Sequence, residues 1–422
     1  MSEPALASSP TSPSLRAWRW RVFAATWLCY AGFYFCRKPF SIVKSSLGKE
    51  LDFDATMLGS IGAAYLIAYT VGQFVAGWAG QKAGPRILLL AGMAISAAAN
   101  VGFGFANSYA LFLSLMVCNG LAQATGWSGN VATMANWFAR GERGRVMGVW
   151  ATNFQAGGVL ANTLAAWALG EWGWRHSFFA GAVTLLVVQA IFVFNQRNRP
   201  EDLGLPAVGD DASDTADGDA KWTRAVVTNV LLVGVFYFFV KFIRYALWSW
   251  APFFLERNFG IEGDEAGYLS TVFDVAGIAG VVVTGYLSDR VFGSRRAGVS
   301  LLMMVAMTVA CFALWQLGRV SVPLFAVCIG IVGFTLYGPD ALMTGAGAMD
   351  IGSRRGAALA AGIINGMGSV GSVVQELLIG KMYDSAAGDL GPILGLLLGA
   401  SAAAAAVMGV VVARNRLGKS DV

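Results

Sequence analysis

Four basic residues sit where an apolar chain should not tolerate them: Arg37 and Lys38, then Lys241 and Arg244. Each pair lies in a long apolar run, and a Lys or Arg at bilayer depth costs at least about 2.5–3.5 kcal/mol. Tyr30 precedes Arg37 by seven residues, Tyr237 precedes Arg244 by seven, and the second pair follows the first by 207. Seven residues make nearly two helical turns, so each tyrosine is expected on the face of its arginine. Guanidinium groups offer planar forks that match phosphate oxygens, and they keep their proton. Two of them facing one cavity would neutralise a dianion. Three acids in apolar runs, Asp274, Asp340 and Glu376, are candidate charge partners or gating groups. Lys241 is expected to pair with Asp274. Four cations against three acids leave positive charge in excess, which favours an anion site over a purely structural network. Composition and spacing reach only as far as an organic or inorganic dianion.

The elements that hold these residues follow from composition. The chain has 422 residues, 56% hydrophobic and 13% charged, with mean hydropathy +0.59. Soluble domains carry about 25% charge, so too little polar side chain is present to wet a globule of this size. An all-α membrane protein is expected. A window of about 20 apolar residues gives twelve spans, near 20–43, 56–80, 87–106, 110–137, 145–168, 177–195, 225–254, 266–288, 298–317, 322–346, 356–381 and 391–413. Residues 1–15 read as a disordered tail with no cleavable signal peptide. The acidic, Gly- and Asp-rich stretch 196–221 reads as a flexible linker. It separates two six-helix halves, 16–195 and 222–413, and 414–422 forms a short tail.

Basic residues in the loops set the orientation. Twenty fall on one side, among them Arg16, Lys82, Arg143, Arg197, Arg295, Arg354 and Arg416. Six fall on the other: Lys44, Lys49, Arg175, Arg257, Arg319 and Lys381. Both termini are therefore expected in the cytoplasm. The five cysteines read as small buried hydrophobes, and a single histidine, His176, leaves no basis for a His-built metal site or catalytic triad. No nucleophile–base constellation supports an enzyme, no metal or cofactor is expected, and the scattered basic charge does not suit nucleic acid. Gly157, Gly158 and the run 366–371 (GMGSVG) read as close helix packing, and the sharper alternative is that these helices also bend or rock. Trp137 and Trp174, near span ends, read as interfacial belt residues.

The loops after spans 2 and 8 correspond, GWAGQKAGPR (77–86) against GYLSDRVFGSRR (285–296). Parallel six-helix halves joined by such loops resemble the major facilitator superfamily. Gly285, Leu287, Asp289 and Arg290 match its loop motif, a structural latch, whereas the first copy has Gly80 at the acid's place. Such a carrier holds its substrate near the midplane, between the halves.

Longer stretches resemble one branch, the organophosphate:phosphate antiporters. They are YAGFYFCRKPF (30–40), QATGWSGNVATMANWFARGERG (123–144), IRYALWSWAPFFL (243–255) and YGPDALM (337–343). The resemblance implies exchange of a phosphorylated glycerol, glycerate or sugar for inorganic phosphate, by a monomer in the plasma (inner) membrane. It places Arg37 and Arg244 on the family's phosphate-binding arginines. Lys38, Lys241, Tyr30, Tyr34, Tyr69, Gln155, Tyr237 and Tyr337 complete the candidate site. Several positions depart from the glycerol-phosphate members: Phe154, beside Gln155, replaces a histidine, Gln73 a lysine and Ser249 an acid, while Asp274 stands for a glutamate. Lys241 is an addition, one turn before Arg244. Two other readings compete: a sugar-phosphate sensor on the same fold, and a proton-coupled symporter of a small solute. A sensor should carry extra partner surface, which the short tail and featureless linker lack. A symporter should carry an unpaired carboxylate or histidine in its cavity.

Overall fold

With no water in the bilayer core, every backbone N–H and C=O must find its partner inside the chain, and a helix supplies all of them locally. The computed structural model describes residues 13–139, 146–147, 149–208, 223–290, 296–343 and 356–417, and their regular structure is helical. The first half holds α1 (Pro13–Phe35), α2 (Pro39–Glu50), α3 (Ala55–Ala83), α4 (Pro85–Phe105), α5 (Tyr109–Gln123), α6 (Thr125–Trp137), α7 (Thr152–Trp172) and α8 (Trp174–Asn195). The second holds α9 (Arg224–Phe259), α10 (Gly263–Arg290), α11 (Arg296–Leu317), α12 (Val322–Ala341), α13 (Gly356–Ser385) and α14 (Gly391–Arg416).

Among the described residues, ten helical stretches are long and apolar enough to cross a membrane, counting α5 and α6 together. The other two expected spans fall on α1 with α2, which is broken, and on α7. Local signals set the boundaries. Asp54 accepts from Met57 N at 2.6 Å and opens α3, Thr223 does the same for α9 through Val226 N at 3.3 Å, and Ser108 caps α5. Gly84 and Gly173 take φ of +80° and +84° at turns that a side chain would strain. The helix α1 begins at Pro13, inside the expected tail.

Close packing explains one glycine directly. A Cβ on Gly157 of α7 would come within 2.8 Å of Ala31 Cα on α1. Gly371 of α13 presses on the backbone of Phe238 in the same way, whereas Gly366 of the same run faces open space. The GMGSVG run therefore splits between a packed face and an open one.

Four expectations need correction. Trp137 is fully buried and donates to Arg197 O at 2.9 Å, and buried Trp174 donates to Glu50 Oε2 at 2.8 Å. Neither is a belt residue; each indole N–H has an internal acceptor. Part of the expected linker is pinned to the first half. Gln196 donates to Thr133, Asn136 donates to Asn198 O, and a short 3₁₀ turn spans Pro200–Leu203. Residues 209–222 lie outside the described residues. Cys118 is exposed, unlike the other four cysteines.

The halves meet through α2 with α9, α3 with α13, and α7 with α10. Among the described residues, their polar ties sit from the middle of the helices to the end remote from the termini. Lys49 pairs with Glu256, Asn162 reaches Ser270 Oγ at 3.1 Å, and Asp384 accepts from Ala55 N and Thr56 N at 3.1 and 2.7 Å. That last contact caps the free N–H groups of α3 with a carboxylate from the other half. Among the described residues, the molecule is sealed at the remote end.

Candidate functional site

Arg37 sits in a break of the helix, between Phe35 and Pro39. Pro39 has no N–H to return to the preceding turn, and its ring crowds that turn. The carbonyl of Cys36, pulled out of the helical ladder, accepts instead from Asn100 Nδ2 at 3.1 Å and Asn119 Nδ2 at 2.9 Å. The break overrides the seven-residue spacing. Tyr30 packs against Tyr34, Trp127 and Trp150, deep in an aromatic cluster, and is not among the rings that face Arg37.

Arg37 Nε donates to Gln123 Oε1 at 2.8 Å, an oxygen that also accepts from Tyr65 OH at 3.0 Å. The amide is aimed by its other end, since Gln123 Nε2 donates to Ser96 Oγ and Asn119 Oδ1, both at 3.2 Å. The rings of Tyr34, Tyr69 and Tyr65 lie 4.7, 5.1 and 5.8 Å from the guanidinium carbon. Tyrosine faces stabilise a cation without neutralising it. Arg37 Nη2 is buried and has no hydrogen-bond partner among the described residues. Such an orphaned charged donor costs free energy unless a ligand fills it.

Arg244 stands in an unbroken 36-residue α9. Its Nη1 donates to Asp340 Oδ2 at 2.6 Å, with the Tyr337 ring 4.6 Å and the Phe154 ring 5.9 Å away. Phe154, not Gln155, therefore faces this arginine; Gln155 is half-buried and makes no hydrogen bond among the described residues. Tyr34 and Tyr245 each lie within electrostatic reach of both guanidiniums, which places the two arginines around one space. On the Arg37 side of that space a cavity is lined by Arg37, Tyr65, Tyr245, Trp248, Ser249 and Glu376.

The lysines are paired differently from the sequence expectation. Asp274 is taken by Lys38, at 3.3 Å across the two halves, and also accepts from Tyr337 OH. Lys38 Nζ lies 3.9 Å from the Trp248 ring centre. Lys241 instead donates to Asn365 Oδ1 at 2.8 Å and lies 3.4 Å from Ser369 Oγ, above the Tyr237 ring at 5.0 Å. Helix α13 comes close enough to supply both groups because Gly368 packs on Tyr237 and Lys241.

Lys44 was counted among the loop residues, yet it is fully buried. It reaches Glu376 Oε2 at 3.0 Å and Ser249 Oγ at 2.7 Å, and Ser249 in turn donates to Glu376. Five central cations thus meet three carboxylates. Sequence reasoning missed Tyr65, Gln123, Tyr245, Trp248 and Lys44. Tyr65 lies four residues from Tyr69, a helical spacing that could have revealed it, and Gln123 opens a quoted family stretch. Of the loop latch, Arg290 is exposed near the Tyr286 ring, and the Asp289 side chain lies outside the described residues. No cluster of three or more potential metal ligands occurs among the described residues.

Residues 26–376 match the family model described as Major Facilitator Superfamily. The chain is 26% identical over 388 residues to a probable hexose phosphate transport protein of Chlamydia trachomatis, covering 86% of this chain and 85% of that one. It is 30% identical over 460 residues to a putative glycerol-3-phosphate transporter 1 of Arabidopsis thaliana, covering 92% and 86%. In fold it resembles the crystal structure of a bacterial homolog of the human lysosomal transporter Spinster, inward-facing and occupied. That match has TM-score 0.74 and 16% identity, and covers 98% and 99% of the two chains. With its apolar helices, paired halves and central basic cavity, the chain is an integral membrane transporter that belongs to the Major Facilitator Superfamily and, within it, to the organophosphate:phosphate antiporters.

Proposed function

We propose that this protein exchanges a phosphorylated organic compound, a glycerol phosphate or hexose phosphate, for inorganic phosphate by alternating access across the plasma (inner) membrane. The chain crosses twelve times as a monomer, with both termini in the cytoplasm. The observation that carries the reading is Arg37: a partly buried guanidinium with an orphaned Nη2, no carboxylate partner among the described residues, and tyrosines around it. Phosphate docks between Arg37 and Arg244, taking the vacant donor of the first and sharing the second with Asp340. Tyr34 and Tyr245 close around it as further donors. The similarity to a probable hexose phosphate transport protein and a putative glycerol-3-phosphate transporter supports the same ligand class.

Among the described residues, polar ties between the halves close the end remote from the termini, which this reading puts on the outer side of the membrane. The test is counterflow in liposomes loaded with labelled phosphate and given external glycerol phosphate, hexose phosphate or unphosphorylated sugar. Exchange with the esters but not the sugar supports the reading. Labelled phosphate that stays inside whatever is added outside overturns it.

A further inference from the structure

Lys241 is the one central lysine that binds amide and hydroxyl oxygens in place of a carboxylate among the described residues. Its Nζ donates to Asn365 Oδ1 at 2.8 Å and approaches Ser369 Oγ at 3.4 Å. The nearest acid in electrostatic reach, Asp340, is already engaged by Arg244 at 2.6 Å. A lysine so placed keeps its charge available, because neutral acceptors orient an ammonium without cancelling it.

Lys241 and Arg244 are three residues apart on one unbroken helix, so they share a face and are offset by roughly 4.5 Å along its axis. Beside the Asn365 and Ser369 partners, a Cβ on Gly362 or Gly366 would meet nothing within 4 Å, so α13 leaves open space there. The phosphate pair, Arg37 and Arg244, therefore has a second cationic point one turn away, beside an open face of α13.

We infer that Lys241, with Asn365 and Ser369 as positioning residues, forms a second anion subsite, and that the preferred organic substrate is a short phosphate ester carrying a carboxylate. The inference rests on the phosphate-exchange reading. An ester with a three-carbon skeleton spans the offset: its phosphate lies between the arginines and its carboxylate meets Lys241. An uncharged sugar or glycerol leaves Lys241 on its amide partner. A charge-assisted contact at this depth corresponds to roughly tenfold in affinity or more.

The experiment compares two probes that differ at one carbon, 3-phosphoglycerate and glycerol 3-phosphate, as external substrates for liposomes loaded with labelled phosphate. Half-saturating concentrations are measured for the native protein, Lys241→Gln and Lys241→Arg, with phosphate–phosphate exchange run beside them. The native protein should favour 3-phosphoglycerate by about tenfold, Lys241→Gln should bring the ratio near one, and Lys241→Arg should keep most of it. A native ratio near or below one overturns the subsite, whatever the variants do, and so does a ratio unchanged in Lys241→Gln. Native protein without phosphate–phosphate exchange overturns the underlying reading instead, and the subsite with it.

Discussion

Arg37 rests on the amide oxygen of Gln123 at 2.8 Å, whereas its counterpart Arg244 rests on the carboxylate of Asp340 at 2.6 Å. The sequence repeat places the two arginines equivalently, yet one is neutralised and the other is not. Gln123 cannot cancel charge, and its orientation is locked by Ser96 and Asn119. The first half thus offers an attracting cation held at a fixed angle, and the second offers a cation that must share.

That asymmetry ranks the arginine variants. Lys at position 37 cannot both hold Gln123 and present a fork, so Arg37→Lys should lower phosphate exchange by roughly 100-fold. Arg244→Lys can still reach Asp340 and should lose less, roughly tenfold. Both should express and fold. Exchange rates in liposomes decide this, and native rates in Arg37→Lys would remove the arginine from the site.

Lys38 and Asp274 form a buried pair across the halves, and removing one partner strands the other. Lys38→Ala or Asp274→Ala should each destabilise this conformation by about 3–5 kcal/mol. The double substitution should recover part of that loss. Thermal unfolding in detergent gives the comparison; a double variant less stable than both singles argues against the coupling.

Lys44 and Glu376 pair across the halves between the Arg37 cavity and the sealed end, bridged by Ser249. Glu376→Gln leaves Lys44 buried without a counter-charge, and opening that end to water relieves it. Ala166, buried against Gly267 between α7 and α10, reports the opening. A cysteine placed there should react with an impermeant thiol reagent about tenfold faster in the Glu376→Gln background. Equal reactivity in both backgrounds would mean that this pair does not hold the end shut.

Exchange should be obligatory. An empty carrier must close around cavity charge that its own acids do not cancel, at a cost that low dielectric enlarges. A dianion removes that cost and drives the switch through its differential affinity for the two states. Efflux of trapped labelled phosphate should therefore need external phosphate or ester. Equally fast efflux into buffer lacking both would show free return of the empty carrier.

Long apolar runs, the repeated arginines and the family stretches carried most of the fold and the outline of the site, because hydropathy and periodicity act over whole helices. Pairings were less legible. Lys38 and Lys241 both lie within reach of the second half's acids, and choosing between them needs the break at Pro39, which turns Lys38 toward Asp274. Lys44 looked like a loop residue because charge counting assumes that a lysine beyond a span meets water. Its burial depends on Glu376, 332 positions away. Trp137 and Trp174 sit at span ends as belt residues do, and only the fold brings Arg197 O and Glu50 to their indoles.

The count of five cations to three carboxylates has an electrical meaning. An empty cavity that switches sides carries two uncancelled elementary charges through the membrane field, worth roughly 4.6 kcal/mol at 100 mV if they sense the whole drop. A cavity holding a dianion carries none. Voltage should therefore leave dianion-for-dianion exchange nearly untouched and act chiefly on any unladen return, opposing movement of the empty cavity toward the positive side and assisting the reverse.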